Sequence, residues 1–136
     1  MSKTLIPGTP PLLPSIDVDE VTKEEIKVLV YEEAQVIVHC TLSAPSADMI
    51  RIWKTTFLVA KGSGHKSKLI HAENITVHPV WMQIWPGKPT CFTLFFTRLP
   101  KDCSEFDLVE EIPEAGGFEA RNITRNASDV YSVLLQ

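Results

Sequence analysis

Apolar and polar side chains alternate along residues 91–99. Phe92, Leu94 and Phe96 share one parity, and threonines occupy part of the other. Because successive side chains of a strand point to opposite sides of a sheet, this pattern predicts a strand with one buried face. Pro100 follows at once, and proline removes a backbone donor, so we expect the strand to end there.

Other segments show the same period or short runs of β-branched and aromatic residues between turn residues. These predicted strands span residues 16–23, 26–31, 35–42, 50–61, 68–72, 74–85, 106–109 and 129–135, with a return strand opening at Phe118. We expect hairpins between 26–31 and 35–42, between 50–61 and 68–72, and between 74–85 and 90–99. Gly116 and Gly117 supply a turn where a positive φ costs little. The pattern predicts an all-β fold of about seven to nine strands with little or no helix.

The chain divides into a short arm and one domain. Residues 1–15 contain four prolines and Gly8, a composition typical of an extended, weakly structured segment. The remaining residues, 16–136, are enough for a single β-sandwich domain with its own core. We therefore expect a proline-rich N-terminal arm, outside the core, that could link the domain to a neighbour.

The turn after the predicted strand 91–99 resembles the E–F corner of immunoglobulin-like and fibronectin-like sandwiches. Leu99 and Pro100 lead through a polar loop to Phe106, where those folds place a tyrosine. Cys40, and Trp53 thirteen residues later, resemble the cysteine and tryptophan of the immunoglobulin core. The resemblance implies an immunoglobulin-like antiparallel β-sandwich. Since Leu108 stands where the second cysteine would be, it also implies a core without the inter-sheet disulfide.

The phrases FTLFFTRLPKDCSEFDLVEE and LIHAENI resemble a group of uncharacterised bacterial sandwich modules. This resemblance covers about residues 50–120. The group has no assigned activity, so it implies a fold and leaves the function open.

Charge and segment composition exclude some classes of function. The net charge is −4, and basic residues form no cluster, which argues against a nucleic-acid or anionic membrane surface. Without a signal peptide or a long apolar run, the sequence as written predicts a cytoplasmic protein. It would be secreted or periplasmic if a leader had been removed. The three asparagines, Asn74, Asn122 and Asn126, all stand in glycosylation sequons, which favours the second alternative.

The three cysteines are an odd number and do not predict a disulfide framework. Cys40 and Cys91 lie within apolar strand runs, where free cysteine packs as a small hydrophobe. Cys103 lies in the corner loop. We expect three reduced thiols, of which only Cys103 is accessible.

One strand carries the best candidate for a binding site. Alternation through residues 81–85 places Trp81, Gln83 and Trp85 on one face, opposite Met82 and Ile84. If the second face is buried, two indole rings flank an amide on the surface, a combination that can hold a sugar or a peptide. The alternative is that both tryptophans fill the core.

Catalytic and metal sites have weaker signals. The four histidines lack zinc-site spacing, and the loop GSGHKS lacks the spacing of a phosphate-binding loop. Cys103 has no identifiable base, and the acidic run Glu110, Glu111 and Glu114 is typical of a solvated strand end. We therefore expect no catalytic residue, metal or cofactor.

The sequence is best interpreted as a non-catalytic module for protein interaction or an accessory role. Its partner would be another protein or a neighbouring domain, and open sheet edges would allow an edge-to-edge homodimer. The alternative is a carbohydrate-binding module that holds a polysaccharide on Trp81, Gln83 and Trp85.

Overall fold

The structure is a computed structural model, and it describes residues 34–135 of the chain. The proline-rich arm, the edge strand at 16–23 and the strand at 26–31 lie outside the described residues. The described part contains nine strands and no helix. The strands are β1 Ala34–Leu42, β2 Asp48–Ile50, β3 Thr56–Ala60, β4 Lys66–Glu73, β5 Met82–Ile84, β6 Thr90–Thr97, β7 Glu105–Glu110, β8 Glu119–Thr124 and β9 Val130–Leu135. The all-β prediction is confirmed.

Seven strands form one sheet in the order β8-β7-β3-β4-β6-β1-β9, and β2 pairs with β5 in a second, small sheet. Strand β4 changes partner along its length: residues 66–68 pair with β3, and residues from Leu69 onward pair with β6, with a register shift between Leu69 and His71. Such a shift lets one strand take part in two layers, so the sheet can fold over a shared core.

The core follows the predicted alternation. In β6, Phe92, Leu94 and Phe96 are buried, while the side chains between them are partly or fully exposed. In β1, Cys40 and its neighbours of the same parity are buried, and Cys40 lies opposite Phe92. Leu108 is buried in the same cluster, and all three cysteines are free thiols.

One predicted strand and one predicted pairing are wrong. Of the strand expected at 50–61, only Ile50 at the end of β2 and residues 56–60 of β3 are strand, and the part of 74–85 that forms β5 pairs with β2 rather than with β6. Side chains cause the break: Glu110 Oε2 accepts the N–H of Trp53, and Thr56 Oγ1 donates to the carbonyl of Trp53. Because these bonds occupy the backbone of residue 53, it cannot continue a ladder. The change of parity within 50–61 marks this break.

The hairpin of β3 and β4 and the return from β7 to β8 agree with the predicted pairings. Gly116 has φ +92°, and a Cβ at Gly117 would lie 2.5 Å from the carbonyl oxygen of Glu110. Both glycines of the turn are therefore required, the first for its backbone conformation and the second for close approach.

The antiparallel expectation fails at one edge, where β9 runs parallel to β1. The chain reaches β9 from the loop after β8, and the carbonyl of Asp129 accepts the N–H of Ile37 near the start of β1. Since β9 begins beside the beginning of β1, the two strands run in the same direction.

Phe106, the aromatic residue that follows the corner after β6, has a partner that the sequence pattern did not reveal. The ring of Tyr131 meets Phe106 edge-on at a centroid distance of 5.0 Å. Its hydroxyl donates to Asp129 Oδ1 and accepts the N–H of Asn126. Phe106 has no hydroxyl for a corner bond, and both hydrogen bonds of the Tyr131 hydroxyl lie in the turn before β9.

Candidate functional site

The sheet of β2 and β5 has one buried and one exposed face. In its register Met49 lies opposite Gln83, and the buried side chains of Ile50 and Ile84 point toward the core. The other parity therefore faces outward. We define the aromatic face as the outward side chains Met49, Arg51, Trp81, Gln83 and Trp85.

Both tryptophans of the aromatic face are exposed. Trp81 is 48% exposed and Trp85 63%, whereas Ile84 between them is buried. Met82 is half-buried, and Val80, which the alternation would place inside, is exposed. Indole rings of this exposure offer large apolar surfaces to a ligand.

Gln83 is less available than its position suggests. Its Nε2 donates to the carbonyl oxygens of Asp48 and Ile84, at 2.8 and 2.9 Å. Both amide hydrogens are therefore used, one in holding β5 to β2 through Asp48 and one within β5. The amide oxygen is the group that Gln83 can still offer, so it could accept a hydrogen bond from a ligand.

Arg51 fixes the position of Trp81. Its guanidinium carbon lies 3.7 Å from the centre of the Trp81 ring, and Nη1 donates to the carbonyl of Pro79 at 3.1 Å. A guanidinium stacked on an indole is held by the ring quadrupole as well as by its hydrogen bond. Arg51 could not be identified from the sequence, because only the register of β2 with β5 reveals that it lies beside Trp81.

Trp53 packs against His78 and Arg51 instead of filling the core. Its ring stacks on His78 with centroids 3.7 Å apart, and Arg51 lies 5.6 Å from it. Trp53 is half-buried, and it lies outside the core cluster of buried residues. The core role that the immunoglobulin resemblance implies for Trp53 is therefore not what the structure shows.

A groove of about 310 Å³ lies between β2 and the segment 112–118. Its lining includes Met49, Arg51, Trp81, Glu114 and Phe118. One face of this groove is thus continuous with the aromatic face. Glu114 is 53% exposed, and its Oε2 lies 3.9 Å from Arg51 Nη2.

Glu110 connects the two sides of the groove through hydrogen bonds. Its carboxylate accepts the N–H of Trp53 and the N–H of Phe118, each at 2.9 Å. Burial and the neighbouring Glu114 raise the pKa of Glu110, although those two hydrogen bonds and Arg51 oppose the shift. Because each carboxylate oxygen accepts a backbone N–H, the geometry fits a structural role for Glu110 as a hydrogen-bond acceptor.

The other two acidic candidates are arranged differently. Glu111 pairs with Lys66 at 2.7 Å, and both side chains are largely exposed. Glu114 contacts Arg51 only at the long distance given above. The acidic run is therefore spread over three separate environments and does not form a facing pair of carboxylates.

The predicted accessibility of the cysteines is wrong. Cys103 is buried and its Sγ donates to the carbonyl of Glu105 at 3.3 Å, whereas Cys91 is exposed. Burial raises the pKa of Cys40 to about 12. Cys91 and Phe92 point to different sides of β6. Because the Cys91 side faces outward, the thiol is exposed.

We expect a thiol reagent at pH 8 to modify Cys91 first. The reagent modifies only a thiolate that it can reach. The buried Cys40 and Cys103 should therefore react only when the protein unfolds. Mass spectrometry after a short exposure to iodoacetamide should show one label on the folded protein and three in denaturant. A Cys91→Ser variant that still gained a rapid label would contradict the assignment.

Within residues 34–135, no group of three His, Cys, Asp or Glu side chains is placed to hold a metal ion. The sequons lie in different settings. Asn126 holds the turn before β9 through bonds to Ser128, Asp129 and Val130, and Asn122 accepts from Lys61. Asn74 lies exposed at the end of the β4 region with φ +65°.

A scan against protein-family models, a search of curated proteins and a search of solved structures each found no match to this chain. The part of the chain that the structure describes has no helix long and apolar enough to cross a membrane. Function is therefore argued from the geometry of the aromatic face and the groove.

Proposed function

We propose that this chain is a non-catalytic module that binds a polysaccharide across the aromatic face. The observation that carries the proposal is the exposure of Trp81 and Trp85 on the same side of one small sheet. Tryptophan is usually well buried, so two exposed indole rings side by side call for a function.

The spacing of the two rings suits an extended ligand. The two tryptophans are four positions apart along the strand direction, which corresponds to about 13 Å between their Cα atoms at roughly 3.3 Å per residue. A sugar chain can stack its apolar ring faces on both indoles, while the Gln83 oxygen accepts a hydroxyl proton between them. Because β2 and β5 are joined by backbone bonds and by Gln83, the platform is preorganised and loses little freedom on binding.

Replacing either tryptophan should weaken binding. We expect Trp81→Ala and Trp85→Ala each to reduce affinity by about tenfold or more, since stacking and the buried apolar surface are lost. The measurement is native electrophoresis through gels containing hydroxyethylcellulose, xylan, laminarin or galactomannan. Retardation of the wild-type chain by one of these polymers, and its loss in both variants, is the expected result.

Leu134→Ala is the matched control. Leu134 on β9 is 78% exposed, so its replacement removes apolar surface from another part of the molecule. Its mobility should match that of the wild type in every gel. If none of the polymers retards the wild type, or if Leu134→Ala loses binding equally, polysaccharide binding by the aromatic face is wrong.

The second candidate is a protein-interaction or accessory module that uses the same surface. Met49 and Val80 are also exposed, so four of the six exposed large hydrophobic residues among those described lie in or beside β2 and β5. Tryptophan, methionine and arginine are the residue types enriched at interfaces. Sedimentation at rising concentration tests one such partner, a second copy of the chain: self-association that Trp85→Ala abolishes would favour this candidate.

The immunoglobulin-like topology remains part of the proposal. Support comes from the change of partner along β4 and from the buried positions of Cys40, Leu99 and Phe106. The half-buried position of Trp53 and the parallel pairing of β9 with β1 are the points on which this chain differs from the simple pattern.

A further inference from the structure

The guanidinium of Arg51 has hydrogen-bonding capacity that the fold does not use. Nη1 is bonded to Pro79, but Nε is buried and has no hydrogen-bond partner. Buried donors without an acceptor are rare in folded proteins, and each one asks for an explanation. Burial closes Nε to a ligand, so Nη2, which lies 3.9 Å from Glu114 Oε2, is the donor that Arg51 can offer at the rim of the groove.

The carboxylate of Glu114 lies across from Arg51 Nη2, and a gap too wide for a direct hydrogen bond separates the two groups. Glu114 Oε2 is 3.9 Å from Arg51 Nη2, which is longer than a hydrogen bond. A hydroxyl group can accept from a guanidinium and donate to a carboxylate at the same time. An oxygen placed about 2.8 Å from both atoms would bridge them, and these distances are those of good hydrogen bonds.

The indole of Trp81 beside the gap indicates which kind of compound would carry the hydroxyl. Trp81 lies against Arg51 and lines the same groove as Glu114, so a group that reaches the gap also contacts the indole. A pyranose ring offers both an apolar face and hydroxyls at its edge. We infer that Arg51 and Glu114 clamp a hydroxyl of a neutral sugar ring that stacks beside Trp81.

Charge favours a neutral polymer over an acidic one. The chain carries a net charge of −4, and Glu110 and Asp48 also line the groove. A uronate would compete with Glu114 for Arg51 and meet these carboxylates. A neutral sugar uses Glu114 as an acceptor instead and brings no charge into the site.

A purely structural role for Arg51 is the competing explanation. In that role the guanidinium only orients Trp81, through the stack and the bond to Pro79. Glu114 separates the two explanations, since its contact with Arg51 is long and its side chain is half exposed. Removing Glu114 should leave Trp81 in place but remove the acceptor for the sugar hydroxyl.

The inference rests on the proposed function, and the experiment keeps the two apart. The full chain is run in gels containing the neutral polymer that retards the wild type, and in gels containing polygalacturonate or its methyl ester. Variants are Arg51→Lys, which keeps the charge but loses the planar fork, and Glu114→Ala. Glu111→Ala is the control from the same segment, and thermal unfolding verifies that each variant is folded.

We expect Arg51→Lys and Glu114→Ala each to bind the neutral polymer about tenfold more weakly, as loss of a hydrogen bond to a charged group implies. Glu111→Ala should bind like the wild type, and polygalacturonate should be bound more weakly than its methyl ester.

Other outcomes overturn the inference in distinguishable ways. If the tryptophan variants lose binding while Glu114→Ala does not, the clamp is wrong and the aromatic platform stands. If the wild type binds polygalacturonate more tightly than its methyl ester, the clamp for a neutral hydroxyl is wrong and Arg51 is a receptor for carboxylates. If no polymer retards the wild type, the proposed function fails together with the clamp.

Discussion

Phe96→Ala should lower the free energy of unfolding by about 3–5 kcal/mol, the usual cost of a large cavity in a well-packed core. Phe96 is 0% exposed and lies between Val36 of β1 and Leu69 of β4 in the sheet. Its loss would leave a void where the central strands meet. Urea unfolding monitored by tryptophan fluorescence provides the measurement.

Phe95→Ala is the control for this prediction. The two phenylalanines are adjacent in sequence, but Phe95 points to the other face of β6, where it is half-buried against His71. Its replacement should cost about 1 kcal/mol, in proportion to the smaller apolar area involved. Equal losses for the two variants would mean that the faces of β6 are not assigned correctly.

Arg125→Met should destabilise the protein by about 3 kcal/mol, since it leaves a partly buried carboxylate without its partner. The guanidinium donates twice to Asp129 and once each to the carbonyls of Pro100 and Cys103. One side chain therefore ties the turn before β9 to the corner after β6. Arg98→Met, which alters an exposed arginine, should change stability by less than about 0.5 kcal/mol.

The effect of Arg125→Met should shrink in acid. Burial raises the pKa of Asp129, but hydrogen bonds from Arg125 and Tyr131 outweigh burial and hold it below its ordinary value. A carboxyl group with a depressed pKa contributes stability above the unfolded-state pKa of about 3.9, and this contribution is lost as the pH falls through the lower folded-state value. Denaturation curves at pH 7 and pH 2.5 should show the gap between wild type and variant narrowing. A constant gap would contradict the role of Asp129.

Local alternation predicted most strands because it depends only on which side chains face the core. The buried residues of β6, the hairpin of β3 and β4, and the return through Gly116 and Gly117 needed no other information. The exposure of Cys91 was missed for a related reason. Its strand was identified, but the apolar neighbours were given more weight than its own parity.

The contacts between distant segments could not be read in this way. The Glu110 carboxylate accepts the N–H of Trp53 from 57 residues away, at the break between β2 and β3, and β2 pairs with the distant β5. The parallel contact of β9 with β1 likewise follows from the route of the chain after β8. Neither leaves a periodic signal in its own segment.

For the candidate site, the sequence by itself determined that Trp81, Gln83 and Trp85 share one side of a strand, because side chains alternate along any strand. Only the tertiary structure decided that this side is the outer one and that Arg51, Glu114 and Glu110 surround it. These three residues come from β2's end, a loop and β7, and their proximity arises from packing. The tertiary structure also brought the rings of Tyr131 and Phe106 together across the core, a contact that only the packing of distant strands can make.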